Sequence, residues 1–253
     1  MSVDLAFASV GCGRPIVLLH PVGLDRACWR WVCDILADRY RLIAVDLRGH
    51  GLSPKRPLAQ RIEDHADDLA RLLTRQELSS ATLVGVSFGG IVAQMTAVKY
   101  PALISRLVPC ACPARIAPES RSAIVARGTK AMTGGMPSVV KETLARWFSS
   151  GFLANPAVAE IADRLATDDP KVWAATWRAI AEVDILDRLP TVSVPTLAVA
   201  GENDEATPID AMKALTAAIA GARLDVLPGA PHMLHVETAR AFADAVARFL
   251  EGA

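Results

Sequence analysis

Gly85-Val86-Ser87-Phe88-Gly89-Gly90 follows the apolar run Ala81-Thr82-Leu83-Val84 and precedes a helical pattern that starts near Gly90. A G-x-S-x-G between a strand and a helix has the form of a nucleophile elbow: the serine sits on a sharp, strained turn, and small neighbours let the helix and the adjacent strands approach it. The other reading of such a stretch is a glycine-rich turn that binds phosphate. Here it lacks the lysine of a P-loop and the spacing of a dinucleotide fingerprint. Ser87 is therefore the candidate nucleophile.

A serine hydroxyl needs a base at neutral pH. Five histidines are available: His20, His50, His65, His232 and His235. His232 ends Pro228-Gly229-Ala230-Pro231-His232, just after the strand pattern Leu224–Leu227. It therefore belongs to a loop at a strand's carboxyl end, where open α/β sheets carry their sites. His235 is the competitor; it falls at the start of the final helix, where it is expected to pack or cap. An imidazole base needs a carboxylate to hold its tautomer and stabilise its charge. Gly201-Glu202-Asn203-Asp204 follows the strand pattern Thr196–Ala200, so Asp204 is the expected partner, with Glu202 and Glu205 as local alternatives. The chain order Ser87, Asp204, His232 is the one this kind of sheet uses.

An acyl-transfer site also needs donors for the oxyanion. The backbone N–H of Phe88 is one candidate. The other lies after the strand pattern Ile16–Leu19, in His20-Pro21-Val22-Gly23; proline has no N–H, which leaves Val22. His20 reads as a loop-shaping residue that hydrogen-bonds nearby backbone. Asp46-Leu47-Arg48-Gly49-His50-Gly51-Leu52-Ser53 reads as a tight structural loop held by Arg48 and His50.

Outward from these motifs, short apolar runs at 16–19, 41–45, 81–86, 103–108, 196–200 and 224–227 alternate with helical patterns at 26–37, 62–73, 90–99, 208–219 and 239–250. Several of the runs are apolar on both faces, as in a parallel sheet covered by helices. The expected architecture is a doubly wound, mostly parallel α/β sheet. From about Pro113 to Asp187 the alternation stops, and four helical patterns follow at 121–130, 138–148, 157–165 and 171–183. The stretch holds Trp147, Trp173 and Trp177. We expect residues 113–187 to form a helical lid inserted between sheet strands, with 1–112 and 188–253 as the core. The plainer reading is a helical layer with these tryptophans as its interior.

The 253 residues are 52% hydrophobic, and 27 Lys+Arg balance 27 Asp+Glu. A neutral chain without a basic stripe predicts no nucleic-acid partner. No apolar run reaches membrane-spanning length and the N-terminus carries no signal-peptide pattern, so no membrane role and a cytoplasmic location are expected. Five cysteines, an odd number, suggest free thiols, and no pair has zinc-ligand spacing; no metal or organic cofactor is expected.

Together, the His20–Gly23, Asp46–Ser53, Gly85–Gly90, Val194–Thr196, Gly201–Asp204 and Gly229–His232 motifs resemble the α/β-hydrolase superfamily from Ile16 to the C-terminus. His20-Pro21 stands where that family usually has His-Gly. In the lid region, Arg146-Trp147-Phe148 and Trp177 to Asp184, with Gly201 to Pro208, are most similar to the 3-oxoadipate enol-lactonase group. The resemblance implies a small-molecule ester or lactone substrate, with 3-oxoadipate enol-lactone as one instance. It also leaves open a general carboxylesterase, a carbon–carbon bond hydrolase, a cofactor-free haloperoxidase or perhydrolase, and a non-catalytic ligand-binding relative. A serine nucleophile excludes the aspartate-dependent dehalogenases and epoxide hydrolases. An enol-lactonase takes a carboxylated substrate, which directs attention to the lid arginines 115, 121, 127, 146, 164 and 178. The pocket candidates are Trp147, Trp177 and Arg127. Oligomeric state is not readable.

Overall fold

The structure, a computed structural model, describes residues 2–78 and 80–252. The chain ends, Met1 and Ala253, lie outside the described residues. Seven strands are described: β1 (Phe7–Val10), β2 (Pro15–Leu19), β3 (Arg41–Val45), β4 (Ala81–Val86), β5 (Ile104–Cys110), β6 (Leu197–Gly201) and β7 (Arg223–Leu227). They form one sheet in the order β1-β3-β2-β4-β5-β6-β7. β1 is antiparallel to β3, and all other pairings are parallel.

The helices are α1 (Arg30–Leu36), α2 (Ile62–Arg75), α3 (Phe88–Lys99), α4 (Pro118–Gly134), α5 (Pro137–Trp147), α6 (Pro156–Ala166), α7 (Pro170–Ala181), α8 (Ile209–Ala218), α9 (Leu234–Glu237) and α10 (Ala239–Glu251). α1 packs on α10, and α2 on α3. All six residues of β4 are buried, as a central strand covered on both faces requires.

Sequence pattern does not reveal β1. Its burial is shallow and it sits at the sheet edge, so it shows neither an apolar run nor a strict alternation. The expected helix 26–37 divides into a 3-10 turn, Arg26–Trp29, and α1. α3 starts at Phe88 rather than Gly90, directly after the serine. β5 runs on through Pro109 to Cys110, and that proline thins its contact with β6. Leu107 and Ala111 donate to Pro195 and Val199 at 3.1 and 2.9 Å, while Pro109, between them on the same edge, has no N–H to give.

The four expected helices between β5 and β6 are α4 to α7, each beginning on a proline whose missing N–H is harmless in a first turn. Asn155 and Asp169 cap α6 and α7 with side-chain oxygens that accept from Ala157 and Lys171 at 2.9 and 2.8 Å. α4 lies against α7. Gly128 permits this approach: a Cβ there would stand 2.9 Å from the Cα of Ala174. No helix among the described residues is long and apolar enough to cross a membrane.

Candidate active site

Ser87 lies between the end of β4 and the start of α3 with φ +54° and ψ −119°. A non-glycine residue held there is strained by about 1–3 kcal/mol, and the surroundings must hold it in place. The neighbouring glycines explain how. A Cβ on Gly85 would overlap the Gly89 carbonyl, and one on Gly89 would overlap the carbonyl oxygen of Leu19. The turn therefore closes tightly on itself and abuts the end of β2, beside the loop that carries Val22. Phe88 is the first residue of α3, so its N–H has no acceptor within the helix.

Asp204 and His232 come from the loops after β6 and β7, adjacent parallel strands. Gly201 lets those loops meet, since a Cβ there would overlap the Ala230 carbonyl oxygen, and the Asn203 N–H donates to that same oxygen at 2.9 Å. His232 Nδ1 lies 2.9 Å from Asp204 Oδ2 and 3.1 Å from Oδ1, with both side chains buried. The Ala206 and Thr207 N–H groups donate to Asp204 Oδ1 at 2.8 and 2.9 Å, so the carboxylate is held on both sides. The alternatives do other work. Glu202 accepts from the Gly229 N–H at 2.7 Å, and Glu205 is exposed.

Ser87, His232 and Val22 line one cavity of about 840 Å³ that extends beneath α4, α5 and α7. Trp147, Trp173, Trp177 and Arg127 line it as well. The Trp147 ring stands 6.5 Å from the His232 ring, and the Met233 N–H donates to the Trp147 carbonyl at 3.0 Å, tying the end of α5 to the histidine loop. Trp147 and Trp173 are thus both buried packing and cavity wall, and Trp177 is half-buried.

Residues 16–245 match the alpha/beta hydrolase family. The chain belongs to that family. The 3-oxoadipate enol-lactonase 2 of Acinetobacter baylyi is 29% identical over 248 residues, spanning 96% of this chain and 92% of that protein. Among solved structures, the enol-lactonase from Burkholderia xenovorans superposes with TM-score 0.91 at 30% identity, covering 98% of this chain and 96% of that one. A thermophilic esterase from Thermogutta terrifontis gives TM-score 0.91 at 30% identity, covering 99% and 94%.

This alpha/beta hydrolase places its other histidines away from the cavity lining. His235 is fully buried between Trp29 and Phe242, at ring distances of 4.7 and 6.4 Å. It packs, in line with its position at the start of the final helical pattern. His65 packs edge-on against Phe88 at 4.9 Å. Neither ring has a hydrogen-bond partner among the described residues. Burial, with the charge of a neighbouring histidine, pushes both down to about 3. An unfolded histidine titrates near 6.5, so the unfolded chain takes up these protons first as pH falls. Stability is therefore complete above about pH 6.5 and is lost as pH falls from there toward about 3. The urea midpoint should fall between pH 7 and pH 5, and less steeply in His235→Phe. Equal slopes in the two proteins would contradict the assignment for His235.

Arg48 and His50 hold their loop as expected. Arg48 makes two 2.6 Å hydrogen bonds to Asp68, and His50 Nδ1 lies 3.0 Å from the Arg48 carbonyl. Asp46 accepts from the N–H groups of Arg26 and Leu52 at 2.8 Å and pairs with the Arg26 guanidinium.

The structure sorts the six arginines that lie between β5 and β6, which sequence could not. Arg115 pairs with Asp184 and Asp187, Arg121 with Glu182, and Arg164 with Asp25 and Asp168. Arg178 is exposed and does not line the cavity. Arg127 and Arg146 line the cavity and, among the described residues, have no carboxylate within ion-pair distance. Glu142 lies near both but pairs with Lys130 at 2.8 Å. Arg127 stacks on Trp177 at 5.2 Å. Its pKa is lowered by burial first and then by the charge of Arg146, against the pull of Glu142.

Proposed function

We propose that this alpha/beta hydrolase cleaves a small ester or lactone that carries a free carboxylate, by acyl transfer through Ser87. The observation that carries the proposal is the 2.9 Å contact of Asp204 with His232, which lines one cavity with a serine held in a strained turn. His232 takes the Ser87 proton as the hydroxyl attacks the carbonyl. The N–H groups of Phe88 and Val22 receive the oxyanion. His232 then returns the proton to the leaving oxygen, and a water activated by the same imidazole hydrolyses the acyl-enzyme. For a lactone, the leaving oxygen stays on the acyl group until that second step.

In this reading residues 113–187 act as the lid, and α4, α5 and α7 close the acyl pocket. Arg127 and Arg146 receive the substrate carboxylate, which relieves their mutual repulsion. An enol-lactone of a dicarboxylic acid, of the kind named for the Acinetobacter relative, satisfies both demands: a reactive ring ester and a second carboxylate. The intended partner is this small molecule, without a cofactor.

The test compares 3-oxoadipate enol-lactone, a p-nitrophenyl ester bearing a terminal carboxylate, and uncharged p-nitrophenyl butyrate. The lactone should be turned over with kcat/KM near ~10⁵ M⁻¹s⁻¹ or above, the range usual for an enzyme on its own substrate. Arg127→Gln and Arg146→Gln should each raise KM for the carboxylated substrates about 10–100-fold, the worth of one charge-assisted contact. KM for p-nitrophenyl butyrate should hardly change. A uniform loss across all three substrates would remove the carboxylate from the proposal. Turnover of the uncharged ester alone would keep the serine chemistry and reject the lactone.

A further inference from the structure

His20 directly follows β2 and is fully buried. Each of its ring nitrogens meets one backbone group. The Leu47 N–H donates to Nε2 at 2.9 Å, and Nδ1 lies 2.7 Å from the Pro21 carbonyl oxygen. A backbone N–H can only donate and a carbonyl can only accept. Nε2 must therefore be bare and Nδ1 must carry the proton. Burial first, and then the neighbouring His50 ring at 5.0 Å, push the imidazole well below its usual range, so this neutral form persists.

The Pro21 carbonyl and the Val22 N–H belong to one peptide unit. Among the described residues the only cis bond is Arg56-Pro57, so this unit is trans and its C=O and N–H point in opposite directions. Anchoring one end aims the other. Leu47 braces the ring from the far side. On the lid side, Gly23 (φ +75°) is packed so closely that a Cβ there would overlap the side chains of Leu165 and Trp173.

We propose that His20 is a positioning residue: its Nδ1–H holds the Pro21 carbonyl, and thereby turns the Val22 N–H toward the oxyanion that forms at Ser87. The proposal rests on the acyl-transfer reading above and assigns His20 a share of kcat without contact with substrate.

Two substitutions separate this role from packing. In His20→Asn the amide nitrogen occupies the place of Nδ1 and still donates to the Pro21 carbonyl. In His20→Gln the amide oxygen reaches the place of Nε2 and accepts from Leu47, but the Pro21 carbonyl loses its 2.7 Å partner and keeps only the longer bond from the Leu24 N–H at 3.4 Å. The loss of a whole oxyanion donor lowers kcat about 10²–10³-fold, so a misaimed one should lower it about 30–100-fold. His20→Gln should therefore lose about that much kcat on p-nitrophenyl butyrate, with KM within about threefold, and should bind a trifluoromethyl ketone more weakly by a similar factor. His20→Asn should stay within about tenfold of wild type. If both variants lose activity equally, or His20→Gln keeps full kcat, the proposal is overturned.

Wild-type protein labelled with ¹⁵N-histidine supplies a readout that needs no variant to fold. The His20 ring should carry its proton on Nδ1, and that proton's shift should move when the ketone binds. A proton found on Nε2 would overturn the proposal. Wild-type turnover, with a Ser87 variant as control, reports on the hydrolase reading alone. The Asn–Gln contrast and the tautomer report on His20.

Discussion

Ser87→Ala should lower kcat on any ester substrate by about 10⁴-fold or more and leave the fold intact. The change removes only the hydroxyl. Alanine keeps the Cβ, so the backbone strain at φ +54° is unchanged, and stability should stay within roughly 1 kcal/mol of wild type. Ser87→Gly sharpens the test. Glycine adopts positive φ freely, so this variant should be as inactive as the alanine one yet more stable, by about 1 kcal/mol. Steady-state hydrolysis of p-nitrophenyl butyrate, run beside urea unfolding of the three proteins, checks both halves. An active Ser87→Ala protein would dismiss Ser87 as nucleophile. A Ser87→Gly protein less stable than wild type would mean that the elbow is not strained.

The second large effect is expected at Asp204. Its Oδ1 accepts two backbone N–H groups, from Ala206 and Thr207, while Oδ2 faces His232 Nδ1. In Asp204→Asn those two donors hold the amide oxygen at the Oδ1 position. The amide nitrogen is left against His232 Nδ1, where it donates. Nδ1 must then be the unprotonated nitrogen, Nε2 keeps the proton, and the imidazole can no longer accept one from Ser87. An Asp→Asn change that reverses the tautomer in this way lowers kcat about 10⁴-fold. KM should move little, because the carboxylate is not in the cavity wall. Because the amide is nearly isosteric, the protein should fold normally, as circular dichroism would register. Asp204→Asn with near wild-type kcat would mean that His232 does not depend on this carboxylate for its tautomer.

Much of the fold and of the candidate site is legible in the amino-acid sequence. Ser87 announces itself through Gly85 and Gly89, because a turn that tight tolerates no Cβ at either position. Asp204 and His232 are legible as the ends of two apolar runs in the right order, and the structure brings their side chains to 2.9 Å. The helices between β5 and β6 are visible in spacing and turn signals. β1 is not, because an exposed edge strand of four residues leaves no periodic trace. The early start of α3 is hidden too, since the glycines that make the elbow also disguise the first turn of the helix.

Six of the seven described strands, the order of the three candidate groups and the class of chemistry they fit can be read from the amino acids in chain order. These depend on local pattern: apolar period, glycine where backbones touch, and polar residues at strand ends. Tertiary structure alone decided which of six arginines face the cavity without a carboxylate partner. It alone showed that His20 holds Pro21 with one nitrogen and Leu47 with the other. Both depend on groups far apart in the chain: Leu47 is 27 residues from His20, and the acids that neutralise Arg115 are about 70 residues away. A residue's type sets what it can donate or accept, but only packing decides which partner is within 3 Å, and hydrogen bonds and ion pairs act at that range.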